Sequence, residues 1–170
     1  MIPSLPDRLS SAPMHAVALA ALVALAALST GAAAQTAGAV AEAQVARGRY
    51  LVQIAGCNDC HTPGYIQSAG KVDEGLWLTG DSLGWRGPWG TTYPTNLRIS
   101  LDAMSETQWL QFAKSMQPRP PMPWFNLRAM ADDDLRAVYR YVKAMGPAGR
   151  PAPAWVAPDK VPAPPFVQFP

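Results

Sequence analysis

The sequence contains little of what many functional classes depend on. Of its 170 residues, two are cysteines, two are histidines and 15% are charged, with a formal net charge of +2 at pH 7. Both cysteines lie within one four-residue stretch, which excludes a disulfide framework. The basic residues form no cluster or stripe, so nucleic acid is not an expected partner. No internal repeat is visible, and no apolar run reaches the roughly 20 residues that span a membrane.

The first 34 residues are predicted to be an export signal. Arg8 precedes an alanine- and leucine-rich run over residues 17–28, and Ala32 and Ala34 form an A-x-A cleavage site. The apolar run has about a dozen residues, so a retained membrane anchor is the less favoured alternative. Removal of this segment leaves a chain of one-domain size with an unchanged net charge. We therefore expect a small, exported protein with no membrane span in its mature form.

Hydrophobic periodicity predicts three main helices. The first runs from about Glu42 into the cysteines, the second follows a capping box of Ser105 and Gln108, and the third spans residues 132–145. Residues 62–100 lack the alternation typical of strands and hold seven of the 13 glycines, so they are predicted to form a long ordered loop. The predicted fold class is therefore all-α.

Two proline-rich segments flank the third helix. The first, P-R-P-P-M-P-W over residues 118–124, is called the proline segment; it is held extended because proline fixes φ and lacks a backbone donor. The C-terminal tail, residues 147–170, is expected to pack on the domain or to be partly disordered. The predicted organisation is a signal over residues 1–34, one domain over residues 35–146, and this tail.

The segment C-N-D-C-H over residues 57–61 carries the chemistry. Cys57 and Cys60 lie one helical turn apart, and this spacing matches the two vinyl groups at one haem edge, which thiols attack to form thioethers. His61 is then placed to bind the iron, and one motif predicts one covalently bound haem c. Three alternatives compete with this interpretation. A redox disulfide does not need the histidine, a zinc site needs a fourth ligand, and buried structural cysteines leave His61 unexplained.

The second iron ligand is sought among the methionines, because the other histidine lies in the predicted signal. Five methionines follow the haem motif: Met104, Met116, Met122, Met130 and Met145. Two of them fall on predicted helix faces as core residues, and two precede helix starts as hydrophobic staples. Met122 alone lies in the rigid proline segment, which favours it as the distal ligand. A core-packing role for Met122 is the alternative.

Four segments resemble exported class I cytochromes c. They are G-C-N-D-C-H-T-P-G (56–64), G-P-W-G-T-T-Y-P-T-N-L (87–97), P-P-M-P-W (120–124) and M-A-D-D-D-L-R-A-V-Y-R-Y (130–141). The chain is similar in particular to the cytochrome c domains and subunits of periplasmic alcohol, sugar-acid and aldehyde dehydrogenases. The resemblance implies a small all-α cytochrome c fold around one haem, with its axial methionine at the position of Met122.

The loop region supplies further predicted contacts to the haem. A metal-bound histidine usually donates its second ring N–H to a carbonyl, and Pro88 is the predicted acceptor for His61. Candidates for hydrogen bonds to the haem propionates are Trp85, Arg86, Trp89, Tyr93 and Asn96. The alternative for the aromatic members of this set is wall packing.

The predicted function is electron transport rather than catalysis. An iron with two protein ligands has no open position for a substrate, and the sequence offers no nucleophile pair or second metal cluster. Electrons would pass from a periplasmic dehydrogenase to an oxidase or another cytochrome through weak, transient docking. Two alternatives stay open: a haem protein that binds a gas or peroxide, and a fixed electron-transfer subunit of a larger dehydrogenase complex, held at the membrane through that complex.

Overall fold

The computed structural model describes residues 35–170, and the predicted export signal over residues 1–34 lies outside them. The chain divides into two compact units, Met1–Ala41 and Glu42–Pro170. The described part of the first unit, residues 35–41, is helical. The second unit contains all the predicted site residues.

Six helices and one 3₁₀ turn occur within residues 42–170. They are α1 over residues 42–54, α2 (Cys57–His61), the 3₁₀ turn Glu74–Leu76, α3 (Leu97–Asp102), α4 (Glu106–Ser115), α5 (Trp124–Ala129) and α6 (Asp132–Met145). The three predicted main helices correspond to α1, α4 and α6, and the capping box of Ser105 and Gln108 is confirmed. The other three helices have five or six residues each, which is too short for a periodic pattern to be read.

The all-α prediction was wrong, because the second unit also contains a three-stranded sheet. Strand β1 (Gly84–Gly87) pairs antiparallel with β2 (Gly90–Thr92), and β3 (Phe166–Gln168) pairs with β1 in parallel, giving the order β2-β1-β3. Strands of three or four residues offer no run over which alternation can be counted. The third strand also lies far away in sequence, in the C-terminal tail. The region predicted as loop is therefore partly a hairpin.

The core joins the helices that carry the cysteine motif to those near the C-terminus. Helix α6 packs against both α3 and α4. Val52 of α1, Leu135 of α6 and Leu101 of α3 are almost fully buried. The indole N–H of Trp109 in α4 donates to the carbonyl of Leu135 over 2.8 Å. This core fixes the end of α1, and the cysteine motif begins directly after that end.

The C-terminal tail lies along the hairpin and the loop before α3. The side-chain amide of Asn96 donates to the carbonyls of Ala148, over 2.7 Å, and Arg150, over 3.1 Å. Further along, Val156 forms an antiparallel bridge with Thr91 of β2. The tail therefore contacts both edges of the hairpin, since β3 pairs with the opposite strand.

Candidate cofactor site

A cavity of about 500 Å³ lies between the cysteine motif and the proline segment. Its walls are mainly apolar and come from α1 to α6, the hairpin, the proline segment and the tail. Leu78, Leu101 and Trp109 are among the buried side chains that line it. This volume lies within the roughly 300–1,000 Å³ of small-molecule and cofactor sites.

All three functional residues of the cysteine motif line this cavity. Cys57 and Cys60 lie one turn apart on α2, and both are free cysteines. Burial raises the pKa of the Cys57 thiol to about 11, and it raises the pKa of the Cys60 thiol with a smaller contribution from Asp59. Both thiols are therefore protonated at neutral pH. Reactive redox and metal-binding cysteines have lowered pKa values and a thiolate, so this environment does not favour the redox-disulfide alternative.

His61 is held in one tautomer by the loop before α3. Its Nδ1 lies 2.7 Å from the carbonyl oxygen of Thr95. A carbonyl can only accept, so Nδ1 carries the proton and Nε2 keeps its lone pair. Nε2 has no hydrogen-bond partner among residues 35–170. Burial lowers the pKa of His61, while the bond to Thr95 partly offsets this effect, so the imidazole is neutral and ready to bind a metal.

The predicted hydrogen-bond acceptor for His61 was wrong. Pro88 was the predicted acceptor, but it lies in the two-residue turn between β1 and β2, and the contact is made by Thr95. No sequence signal identifies Thr95, because the acceptor is a backbone carbonyl and every residue of the loop has one. Thr95 directly follows Pro94, which is buried and lines the cavity.

Met122 lines the same cavity as His61, but it is one of four methionines there. The other three are Met104, Met116 and Met130, whereas Met145 is not part of the lining. Met116 and Met130 pack against the hydrophobic core, and Met122 does not. Met104 also stands outside the core, just before α4, where its carbonyl accepts from the hydroxyl of Tyr139. The proline segment ends one residue earlier than predicted, because Trp124 begins α5.

Contacts on both sides hold the proline segment over the cavity. The hydroxyl of Thr92 donates to the carbonyl of Pro120 over 2.8 Å. The guanidinium of Arg128 donates to the carbonyls of Ser115 and Met116, just before the segment. Its position is therefore fixed from the hairpin and from α5.

The predicted propionate contacts divide into two groups. Trp85 and Tyr93 line the cavity, and the buried indole N–H of Trp85 has no hydrogen-bond partner in the described part of the chain. The remaining candidates, Arg86, Trp89 and Asn96, do not line it. Arg86 lies next to Trp85 on β1, and successive side chains of a strand point to opposite faces.

The residues that face away from the cavity have structural contacts instead. The guanidinium of Arg86 lies over the ring of Phe166 in β3, 5.9 Å from its centroid. The ring of Trp89 lies 5.5 Å from that of Phe169. Asn96 caps α3 by accepting from the backbone N–H of Ile99. These three predicted haem contacts therefore organise the sheet, the tail and α3.

Residues 35–170 offer neither a cluster of the common metal ligands nor a membrane-spanning helix. No three His, Cys, Asp or Glu side chains within residues 35–170 are grouped closely enough to hold a metal ion, so the zinc alternative finds no ligand set there. Within the same residues, no helix combines the length and the apolar character that crossing a bilayer demands.

Comparison with known proteins gives one distant similarity. Over 127 residues the chain is 27% identical to a subunit of the nicotinate dehydrogenase of Pseudomonas putida. The match covers 69% of this chain and 10% of that protein, so the chain spans about a tenth of the length of this curated relative. No family model matches the chain, and no solved structure does. This similarity agrees with the predicted resemblance to dehydrogenase subunits, but it does not test the resemblance to cytochromes c.

Proposed function

We propose that this chain is an exported, periplasmic c-type cytochrome with one haem, which carries single electrons between a dehydrogenase and a downstream oxidase or cytochrome. The observation that carries the proposal is the combination of Cys57, Cys60 and His61 on one cavity wall. Two thiols one helical turn apart fit covalent attachment of a haem. The adjacent imidazole is neutral, oriented by Thr95 and free at Nε2.

The rest of the cavity also fits a haem. Its walls are mainly apolar and its volume of about 500 Å³ suits a large flat cofactor. A haem carries two propionates, and the unpaired buried indole N–H of Trp85 is a donor for such a carboxylate. The thioether of Met122 lines the same cavity and is a soft neutral donor.

Each of these residues has a defined task in electron transfer. When bound, the haem supplies an iron that alternates between the ferrous and ferric states. His61 and Met122 are the residues that would ligate this iron, and with both bound no coordination position would be open to a substrate. Thr95 keeps the His61 ring in one orientation, which limits rearrangement between the two oxidation states. The apolar walls exclude water and favour the less charged state, and so support a high potential.

The partner of the chain is proposed from the comparison. The relative is by its printed name a subunit of a dehydrogenase, and this supports an electron carrier that serves a dehydrogenase. The same observation supports the second candidate, a fixed electron-transfer subunit of a dehydrogenase complex. Purification from the native cell separates the two: a fixed subunit remains with its enzyme through salt washing and size exclusion, and a free carrier elutes alone.

Carbon monoxide binding tests the electron-carrier proposal against a gas-binding haem protein. The chain is expressed with its export signal in a bacterium that attaches haem c, reduced with dithionite and mixed with carbon monoxide. An iron capped by Met122 binds the gas slowly and incompletely, because the thioether must leave first. Rapid, stoichiometric binding by the wild-type protein supports the gas-binding alternative instead.

A further inference from the structure

The C-terminal tail contributes directly to the cavity. Pro153 and Trp155 belong to its lining, although they lie about thirty residues beyond the proline segment in sequence. Trp155 is 42% exposed. Its ring is nevertheless held by neighbouring residues on both sides.

Trp155 links the tail to the proline segment and to the hairpin. The guanidinium of Arg119, three residues before Met122, lies 4.2 Å from the centroid of the Trp155 ring. The indole N–H of Trp155 donates to the carbonyl of Trp89 over 3.0 Å. One side chain therefore bridges the segment that carries Met122 and the turn that joins β1 to β2.

The tail and the proline segment are anchored to neighbouring residues of the same strand. Val156 exchanges two backbone hydrogen bonds with Thr91, at 2.8 and 3.0 Å. The next residue, Thr92, donates its hydroxyl to the carbonyl of Pro120 over 2.8 Å. Strand β2 therefore fixes both segments at one place, and the pair of Arg119 and Trp155 joins them on the cavity side.

The close approach of the tail depends on one glycine. Gly90, with φ of +91°, begins β2, and a Cβ at this position would lie 2.4 Å from the carbonyl oxygen of Val156 and 2.7 Å from Nε1 of Trp155. A side chain here would push the tail away from the hairpin. The hairpin therefore has a specific packing site for Trp155, which the absence of a side chain at Gly90 leaves open.

We infer that the C-terminal tail is a clamp that keeps Met122 on the iron, with Trp155 and Arg119 as its positioning residues. The inference rests on the proposed function, since it assigns a role to the tail relative to the bound haem. The clamp lowers the rate at which the Met122 side of the cavity opens. It would thereby keep the Met122 thioether on a bound iron and small ligands away from it.

The test uses the complete holoprotein and five variants: Trp155→Ala, Arg119→Gln, Val161→Ala, Trp155→Phe and the double variant of Trp155→Ala with Arg119→Gln. In Trp155→Ala the hydrogen bond and the cation–π contact are both lost, and in Arg119→Gln the cation–π contact alone is lost. Val161→Ala, at an 81% exposed position of the same tail, is the matched control. Covalent haem content is measured first, by spectrum and by mass, followed by the rate of carbon monoxide binding to the reduced protein.

We expect the same haem content in all variants. The rate of carbon monoxide binding should rise about tenfold in Trp155→Ala, equivalent to about 1.4 kcal/mol, and less in Arg119→Gln. The double variant should not exceed Trp155→Ala, because both substitutions remove one shared contact. Trp155→Phe keeps a ring for Arg119 and should restore part of the wild-type behaviour, a result that general destabilisation does not predict. Val161→Ala should match the wild type.

Two results overturn the inference in distinguishable ways. If the wild-type chain carries no covalent haem, the proposed function fails and the clamp fails with it. If haem is attached and both Trp155→Ala and Arg119→Gln bind carbon monoxide at the wild-type rate, the clamp alone is wrong. Arg119 is exposed, so Arg119→Gln should fold. If Trp155→Ala does not fold, the carbon monoxide binding rate of Arg119→Gln tests the clamp on its own.

Discussion

Nδ1 of His61 and the carbonyl oxygen of Thr95 lie 2.7 Å apart, across 34 residues of sequence. The next residue, Asn96, caps α3 and also donates to the C-terminal tail. The backbone N–H of Gly80 donates to the carbonyl of His61 over 2.8 Å. The orientation of the imidazole is therefore fixed by the loop region, α3 and the tail together, and not by the cysteine motif alone.

Replacement of Met122 by alanine should change the iron without unfolding the chain. The variant loses the soft thioether that favours ferrous iron, so the reduction potential should fall and the reduced form should bind carbon monoxide readily. Redox titration and gas binding measure both effects. Met130→Ala is the control, because Met130 packs against the core and its loss should cost about 2 kcal/mol of stability with an unchanged spectrum.

Met104→Ala completes the comparison, because Met104 also lines the cavity and stands outside the core. We expect its spectrum and potential to match the wild type. If Met104→Ala loses the methionine-ligated spectrum while Met122→Ala keeps it, the distal ligand has been assigned to the wrong methionine.

Gly48→Ala should destabilise the second unit, although alanine is the better helix former. A Cβ at Gly48 would lie 2.0 Å from the carbonyl oxygen of Ala137, where α1 crosses α6. Since backbone must move to make room, we expect a loss of about 1–3 kcal/mol in denaturant unfolding. Gly38→Ala is the control: no atom of residues 35–170 lies within 4 Å of its added Cβ, and it should gain up to about 1 kcal/mol from helix propensity. Equal effects of both substitutions would refute the close crossing.

The pH dependence of stability should include a contribution from Glu106. Hydrogen bonds from Arg136 and then Arg140 hold the pKa of the Glu106 carboxyl below its ordinary value. A carboxyl with a lowered pKa in the folded state stabilises the protein above its unfolded pKa, and this stability is lost as pH falls through the folded pKa.

Glu106→Gln should therefore lower the free energy of unfolding at pH 7. The expected loss is only about 1 kcal/mol, because the ion pairs of Glu106 with Arg136 and Arg140 are partly exposed to solvent. The difference from the wild type should shrink in acid, which urea titrations at several pH values measure. Glu42→Gln, at an exposed position of α1, should leave the free energy of unfolding at pH 7 unchanged. A difference for Glu106→Gln that stays constant from neutral to acid pH would contradict this assignment.

The sequence could predict α1, α4 and α6 because each is long enough for a buried stripe to repeat. The sheet could not be predicted, since its strands are short and β3 comes from the tail, more than seventy residues after β2. The missed sheet also led to errors in the predicted haem contacts. Without β1, nothing in the sequence indicated that Trp85 and Arg86 face opposite sides, so both were predicted at the propionates.

The cysteine motif was predictable for a different reason. Its chemistry is local, because one helical turn fixes the spacing of Cys57 and Cys60 and places His61 directly after them. The choice among methionines depends on tertiary structure, which brings four of them to one cavity. The contact between Trp155 and Arg119 likewise joins two segments that are distant in sequence, so no local sequence pattern could predict it.

The mass of the exported, denatured protein tests the central claim most directly. If Cys57 and Cys60 hold a haem by thioether bonds, the cofactor stays on the chain through acid and organic solvent, and the mass exceeds that of the polypeptide by one haem. Cys57→Ala with Cys60→Ala should lose this increment and fail to fold, because residues of all six helices line the cavity that the haem would fill. Each single variant should keep one thioether. A wild-type mass of the bare polypeptide, or a double variant that folds without haem to the native helix content, would contradict the account.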